Sequence, residues 1–166
     1  MKEFAYPTPF YHHLLTPDGR LSIEVINFLV ENLNYDRSIL LSSRWKPIKY
    51  SFLPHRFDAI VIYKTVYYRP KILNNDLLFW LELIAHEEWH RQEVGNHFLK
   101  ALFWYIGYGL EYLRVRMRYH AVKHEIRAYQ RGFGFEGQPS MMHGLLSANH
   151  WERYYVFERR IAPDFS

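Results

Sequence analysis

Residues 83–91 read Leu83-Ile84-Ala85-His86-Glu87-Glu88-Trp89-His90-Arg91, inside a longer apolar run from Leu77 to Glu93. The length and apolar density of that run predict a buried helix, with Asn75 or Asp76 as its N-cap and Gly95-Asn96 as its C-cap. Residues four apart share one helical face, so His86 and His90 can turn a ring nitrogen towards a single metal ion. Phe79 and Leu83 extend the same stripe, which directs both histidines inward or into a cleft. Glu87 lies about 100° further round the axis, where a carboxylate can hold an attacking water and act as its general base. Composition alone gives roughly 0.04 His-Glu-x-x-His matches in such a chain. The competing reading is a pair of core histidines bonded to backbone or tyrosine, with Glu87 and Glu88 solvated.

A third ligand decides between these readings. In the stretch from His120 to Arg131, Lys123, Arg127 and Arg131 form one stripe at helical spacing, predicted to face solvent. Val122, Ile126 and Tyr129 form the opposite, buried stripe, and Glu125 falls within it. A carboxylate placed there needs a partner, and a metal held by His86 and His90 supplies one. The resulting His₂Glu set leaves a position open for water, as zinc hydrolases use it. His120 and His124 are rival ligands outside that stripe, and an ion pair with arginine is the bland alternative for Glu125. Tyr129, one turn after Glu125, is placed to donate to an oxyanion, or else is an aromatic core residue.

The order of strand (Ala59 to Tyr68), H-E-x-x-H helix, Gly95, aromatic helix with Phe98 and Tyr112, then Glu125 followed by Ala128-Tyr129, resembles compact zincin-like metallopeptidase domains of the gluzincin type. These include the peptidase-like core domain found with contractile injection systems, and the resemblance covers roughly Asp58 to Gln130. It implies that His86, His90 and Glu125 bind zinc, that Glu87 is the base, and that the strand beside the helix is an edge for an extended peptide. Glu88, where such domains are usually apolar, and His124 before the glutamate depart from the pattern.

Outward from this core, Leu21 to Leu33 has the three-and-four spacing of an amphipathic helix after the turn Thr16-Pro17-Asp18-Gly19. Arg44 to Phe57, with Pro47 and Pro54, reads as an irregular crossing. Asp58 to Arg69 reads as one strand, or as two joined near Lys64-Thr65. His97 to Arg118 predicts a helix with Phe98, Leu102, Tyr105, Ile106 and Leu113 as core positions, and with Gly107 and Gly109 giving a bend or room for a neighbouring backbone. Tyr119 to Arg131 is a further helix or a continuation. Gly132 to Gly144 is a connection or a flap, and Ser147 to Arg160 a last helix. The fold class expected is α+β, mostly helical and zincin-like, with a short β element beside the H-E-x-x-H helix. It forms one domain over 1–166, with a metal-site core at 58–130 and flanks at 1–57 and 131–166.

Composition bounds the function. At 166 residues with 49% apolar and 23% charged residues, the sequence belongs to a folding chain. Aromatics at 19% suit either a ring-built core or a binding cleft. Without cysteine there are no disulfides, thiolate nucleophiles or Cys-containing zinc sites, so any metal must use His and carboxylates. Met1 to Leu15 shows no standard signal peptide, which makes a cytoplasmic location, or delivery from the cytoplasm, the expectation. The longest apolar run, Ala101 to Leu110, is about half of a membrane span, and peripheral membrane contact stays open. The net charge of +4 names no partner.

The leading expectation is a Zn²⁺-dependent hydrolase acting on an amide bond of a peptide or protein substrate, with Glu87 and Tyr129 as catalytic residues. Its alternative is a catalytically silent metal-binding or interaction module of the same fold. A di-iron carboxylate site would need a second E-x-x-H, which the sequence lacks. Nucleic-acid binding through Arg114, Arg116, Arg118, Lys123, Arg127 and Arg131 competes with a plain solvated helix face.

Overall fold

The computed structural model describes residues 14–48, 57–75 and 77–147. The expected helix from Ser147 to Arg160 lies almost wholly outside them, as does Asp76. The elements are α1 (Ile23–Leu33), α2 (Arg37–Ser42), β1 (Arg44–Pro47), β2 (Ala59–Ile62), β3 (Thr65–Tyr68), α3 (Leu77–Val94), α4 (Phe98–Arg114), α5 (Lys123–Arg131) and α6 (Met141–Ser147). Short 3₁₀ turns at Pro70–Asn74 and Tyr119–Ala121 precede α3 and α5. The fold is α+β and mostly helical, with one three-stranded sheet.

Helix α3 is the axis of the molecule. Apolar side chains occur all round it, with Trp80, Leu83, Ile84, Ala85 and Val94 buried, as expected for a helix enclosed by other elements. Gly95, at φ +70°, ends it in the left-handed conformation a C-cap requires. The sheet, ordered β1-β3-β2, lies against it. Trp45, Val66, Tyr68, Ala59 and Val61 form the buried sheet face, and the rings of Trp45 and Tyr68 pack on Trp80 at 6.3 and 5.5 Å. The strand region is two strands: β2 and β3 pair antiparallel from Ala59↔Tyr68 to Ile62↔Thr65, turning at Tyr63, whose φ is +53°. Arg44–Pro47, expected to be irregular, pairs parallel with β3. Pro47 ends a short edge strand there, where a missing N–H costs no ladder bond.

α1 begins at Ser22, whose hydroxyl accepts from the Val25 N–H, and buries Val25, Ile26, Phe28, Leu29 and Leu33. Tyr35 ties this layer to α3 by donating to the Ala85 carbonyl at 2.7 Å. On the opposite side α5 crosses α3 closely at Gly132, where a Cβ would overlap the Glu82 carbonyl and the His86 Cβ. Arg131 is half-buried, stacked 4.4 Å from the Trp89 ring and donating to the Leu33 carbonyl, so it leaves the expected solvent stripe. Met142 is fully buried, so this part of the Gly132 to Gly144 segment belongs to the core and is no flap.

Helix α4 corrects the sequence reading most. It runs without interruption through Gly107 and Gly109, and nothing lies within 4 Å of a Cβ built on either. Of its expected core positions, Tyr105 is half-buried, whereas Phe98, Leu102, Ile106 and Leu113 are exposed. The inward face carries Ala101, Trp104, Tyr105, Tyr108 and Tyr112 instead. Among the described residues no helix is long and apolar enough to cross a membrane.

Candidate metal centre

The two motif histidines lie on the side of α3 that faces α5, and both are buried. Glu125 projects at them from the first turn of α5, where the helix N-terminus favours a carboxylate. Its local placement follows from the stripe Val122, Glu125, Ala128 and Gly132, all buried at three-and-four spacing. His86 Nε2 is 3.5 Å from Glu125 Oε2, and His90 Nε2 is 3.5 Å from Glu125 Oε1. These separations are long for charge-assisted hydrogen bonds of about 2.7–2.9 Å. They leave space for metal–ligand bonds of about 2.0–2.1 Å between the rings and the carboxylate. One ligand atom from each of the three residues lies within 4.8 Å of the others, and Glu125 Oε2 has no hydrogen-bond partner although it is buried. A cation among these atoms would satisfy that oxygen, so the donor set fits a metal ion.

Electrostatics agree with the geometry. Burial opposes the charged form of Glu125, but the His86 and His90 rings beside it win and hold its carboxyl well below the usual range. Burial pushes His86 down. At His90 burial acts in the same sense, yet Glu125 and Glu93 overcome it and raise the ring to about 10. Among the described residues this is the single cluster with metal-ligand spacing. The rivals are placed elsewhere: His124 Nδ1 is 2.8 Å from Glu93 Oε2, and exposed His120 lies beside the Tyr119 and Tyr129 rings.

Glu87 is also buried, and burial pushes its carboxyl up to about 8. It lies where two hollows meet, with Ala59 and Tyr119 also lining both. The larger, about 390 Å³, is walled by Ile60, Val61, Trp104, Tyr105, Tyr108 and Tyr112, with His90 and Glu125 at its base. The smaller, about 250 Å³, contains His86, Asp58, His120 and Tyr129. Tyr129 stands edge-on to His86 at 4.7 Å and lines the smaller hollow with Glu87.

Three further residues escaped the sequence reading. Tyr108 donates to Glu125 Oε1 at 2.7 Å, and Tyr119 lines the same hollow beside that carboxylate; burial and the carboxylate keep both phenols protonated. Glu93 lies one turn beyond His90, 3.9 Å from its Nδ1, and also pairs with His124. The available signals were the stripe Trp104, Tyr108, Tyr112 and the acid at i+3 from His90. Comparisons of the chain with protein families, curated proteins and solved structures give no match.

Proposed function

We propose that this chain is a zinc-dependent hydrolase that cleaves an amide bond in a peptide or protein substrate. The observation that carries the reading is a buried carboxylate standing 3.5 Å from two imidazole nitrogens, with Glu87 beside it at the junction of two open hollows. His86, His90 and Glu125 would hold the ion. Zinc supplies a Lewis acid that polarises the amide carbonyl and lowers the pKa of water to about 7.

The protein's own groups account for the proton movements. Burial brings the Glu87 carboxyl to about 8, near enough to neutral pH for it both to take up and to release a proton there. Glu87 takes one proton as the water oxygen bonds to the carbonyl carbon, then delivers it to the nitrogen as the C–N bond breaks. Tyr108 fixes the Glu125 carboxylate by a hydrogen bond, and the Glu93 carboxylate, 3.9 Å from His90 Nδ1, supplies a negative charge beside that ring. Tyr129 contributes a protonated hydroxyl in the smaller hollow, its pKa raised by burial. β2 is an edge strand, and the Tyr105 hydroxyl already bonds Val61 O and Tyr63 N, so an extended substrate would pair nearer Ala59.

The test is cleavage of a peptide library by the zinc-loaded chain, with Glu87→Gln as control. Cleavage lost in the variant, at unchanged zinc content, supports the reading. A zinc-loaded chain that cuts nothing, or cuts equally well as Glu87→Gln, is a metal-binding module instead.

A further inference from the structure

Helix α4 carries an apolar face that the described chain leaves largely bare, touching it at Phe98 through the edge of the Tyr63 ring. Phe98, Leu99, Leu102, Phe103, Ile106, Leu110 and Leu113 are 43–69% exposed, and Met117 follows at 62% just past the helix. At 100° per residue the seven helical positions fall within one sector, opposite the rings that line the candidate site. The stripe runs the length of a 17-residue helix, about 25 Å. So extended a patch exceeds the few hundred Å² that a monomeric surface usually leaves bare.

The charges beside this face indicate what covers it. Lys100, Gly107 and Arg114 recur every seven residues and so run along one border of the apolar sector. Arg116 and Arg118 are exposed at its C-terminal end. From His97 to Arg118 the one acid is Glu111, which turns away to accept from the Lys123 N–H and approach His124. A second copy is a poor partner, because pairing two such faces antiparallel sets Lys100 against the arginines of the other copy and offers no acid to either. Aliphatic and phenylalanine side chains bordered by lysine and arginine are complementary to a surface that is apolar below and anionic above.

We infer that the outer face of α4 docks on an anionic lipid bilayer, with Phe98, Phe103 and Leu110 in the acyl boundary and Lys100 and Arg114 at the headgroups. The helix then lies in the plane of the interface. Trp104, Tyr108 and Tyr112 on its other side keep the larger hollow directly above the membrane. This inference does not depend on chemistry at His86 and His90.

The test is sedimentation of the full chain with vesicles of phosphatidylcholine alone and of phosphatidylcholine containing phosphatidylserine. Binding to the anionic vesicles is expected, weaker at high salt. It should be lost in Phe103→Glu/Leu110→Glu, and reduced about fivefold for each cation removed in Lys100→Ala and Arg114→Ala. The melting temperature of each variant should match that of the parent. No binding to either vesicle would overturn the inference. So would a wild-type dimer that Phe103→Glu dissociates without changing vesicle binding. A large fall in melting temperature on Phe103→Glu would also overturn it, by showing that the chain's own remaining residues cover the face.

Discussion

Two glutamates on opposite sides of the same helical core are almost equally buried, Glu88 fully and Glu125 to 3% exposure, yet their carboxyls move in opposite directions. Burial pushes Glu88 up to about 7, against the hydrogen bonds that Ser43 Oγ and Trp45 Nε1 donate to its Oε1 at 2.6 and 2.8 Å. Glu125, facing two imidazoles and two tyrosine hydroxyls, is held ionised. Burial sets the cost of charge, and the neighbours decide whether it is overcome. The chain's own donors satisfy Glu88 Oε1 but leave Oε2 buried without a partner, and the nearby Arg91 is bonded to Gly95 O, Ser42 Oγ and Asn96 Oδ1. At Glu125 the Tyr108 hydroxyl satisfies Oε1, while Oε2 lies unpartnered 3.5 Å from the His86 ring and the carboxylate lines an open hollow beside His90, which makes this the cluster with the donor set for a metal ion.

The largest expected effect separates chemistry from architecture at Glu87. Glu87→Gln should keep zinc and lose about 10²–10⁴-fold in turnover, read as kcat on a cleaved peptide with metal content measured on the same sample. At the other glutamate, Glu88→Ala strands the Ser43 and Trp45 donors and removes the negative charge that acts on buried Arg91. It should cost about 3 kcal/mol in urea unfolding, with zinc content unchanged. Zinc lost together with stability would erase the distinction between the clusters.

A smaller effect is expected between the two. Glu93→Gln weakens the acceptor facing His90 Nδ1 and should lower zinc affinity about 10–100-fold in a chelator competition, with the fold intact. Smallest is a pH dependence at Glu88. Its carboxyl binds a proton more tightly folded, at about 7, than at its ordinary 4.5. The stability this contributes is whole below pH 4.5 and is lost as pH rises through 7. Glu88→Gln, which keeps an oxygen acceptor and cannot ionise, should flatten the fall in unfolding free energy between pH 5 and 8 in zinc-free protein. An unchanged slope would mean that Glu88 is not held protonated.

The α3 helix, its His-Glu-x-x-His stripe and the inward place of Glu125 were legible because helical periodicity and the burial of a lone acid among apolar positions are local signals. The outer face of α4 was not. Phe98, Leu102, Ile106 and Leu113 have the spacing of a core stripe, but periodicity reports that residues share a face and not that anything covers it. The inward stripe of Trp104, Tyr105, Tyr108 and Tyr112 is the less apolar of the two faces, so hydropathy pointed the wrong way and hydroxyl-tipped rings took the site. The break between α4 and α5 was hidden as well, since Arg116 and Met117 take positive φ with no glycine to mark it. β1 was masked by its four-residue length and Pro47. The pairing of Glu93 with His124 depends on how α5 crosses α3, a tertiary fact set partly at Gly132.

The most direct measurement is the metal content of the wild type, Glu125→Ala and Glu88→Ala after zinc loading and removal of free ion. About one zinc per chain in the wild type and in Glu88→Ala, with none in Glu125→Ala, is the predicted result. No zinc in the wild type, or zinc that survives Glu125→Ala, would contradict the metal centre and return His86 and His90 to the packing of the core.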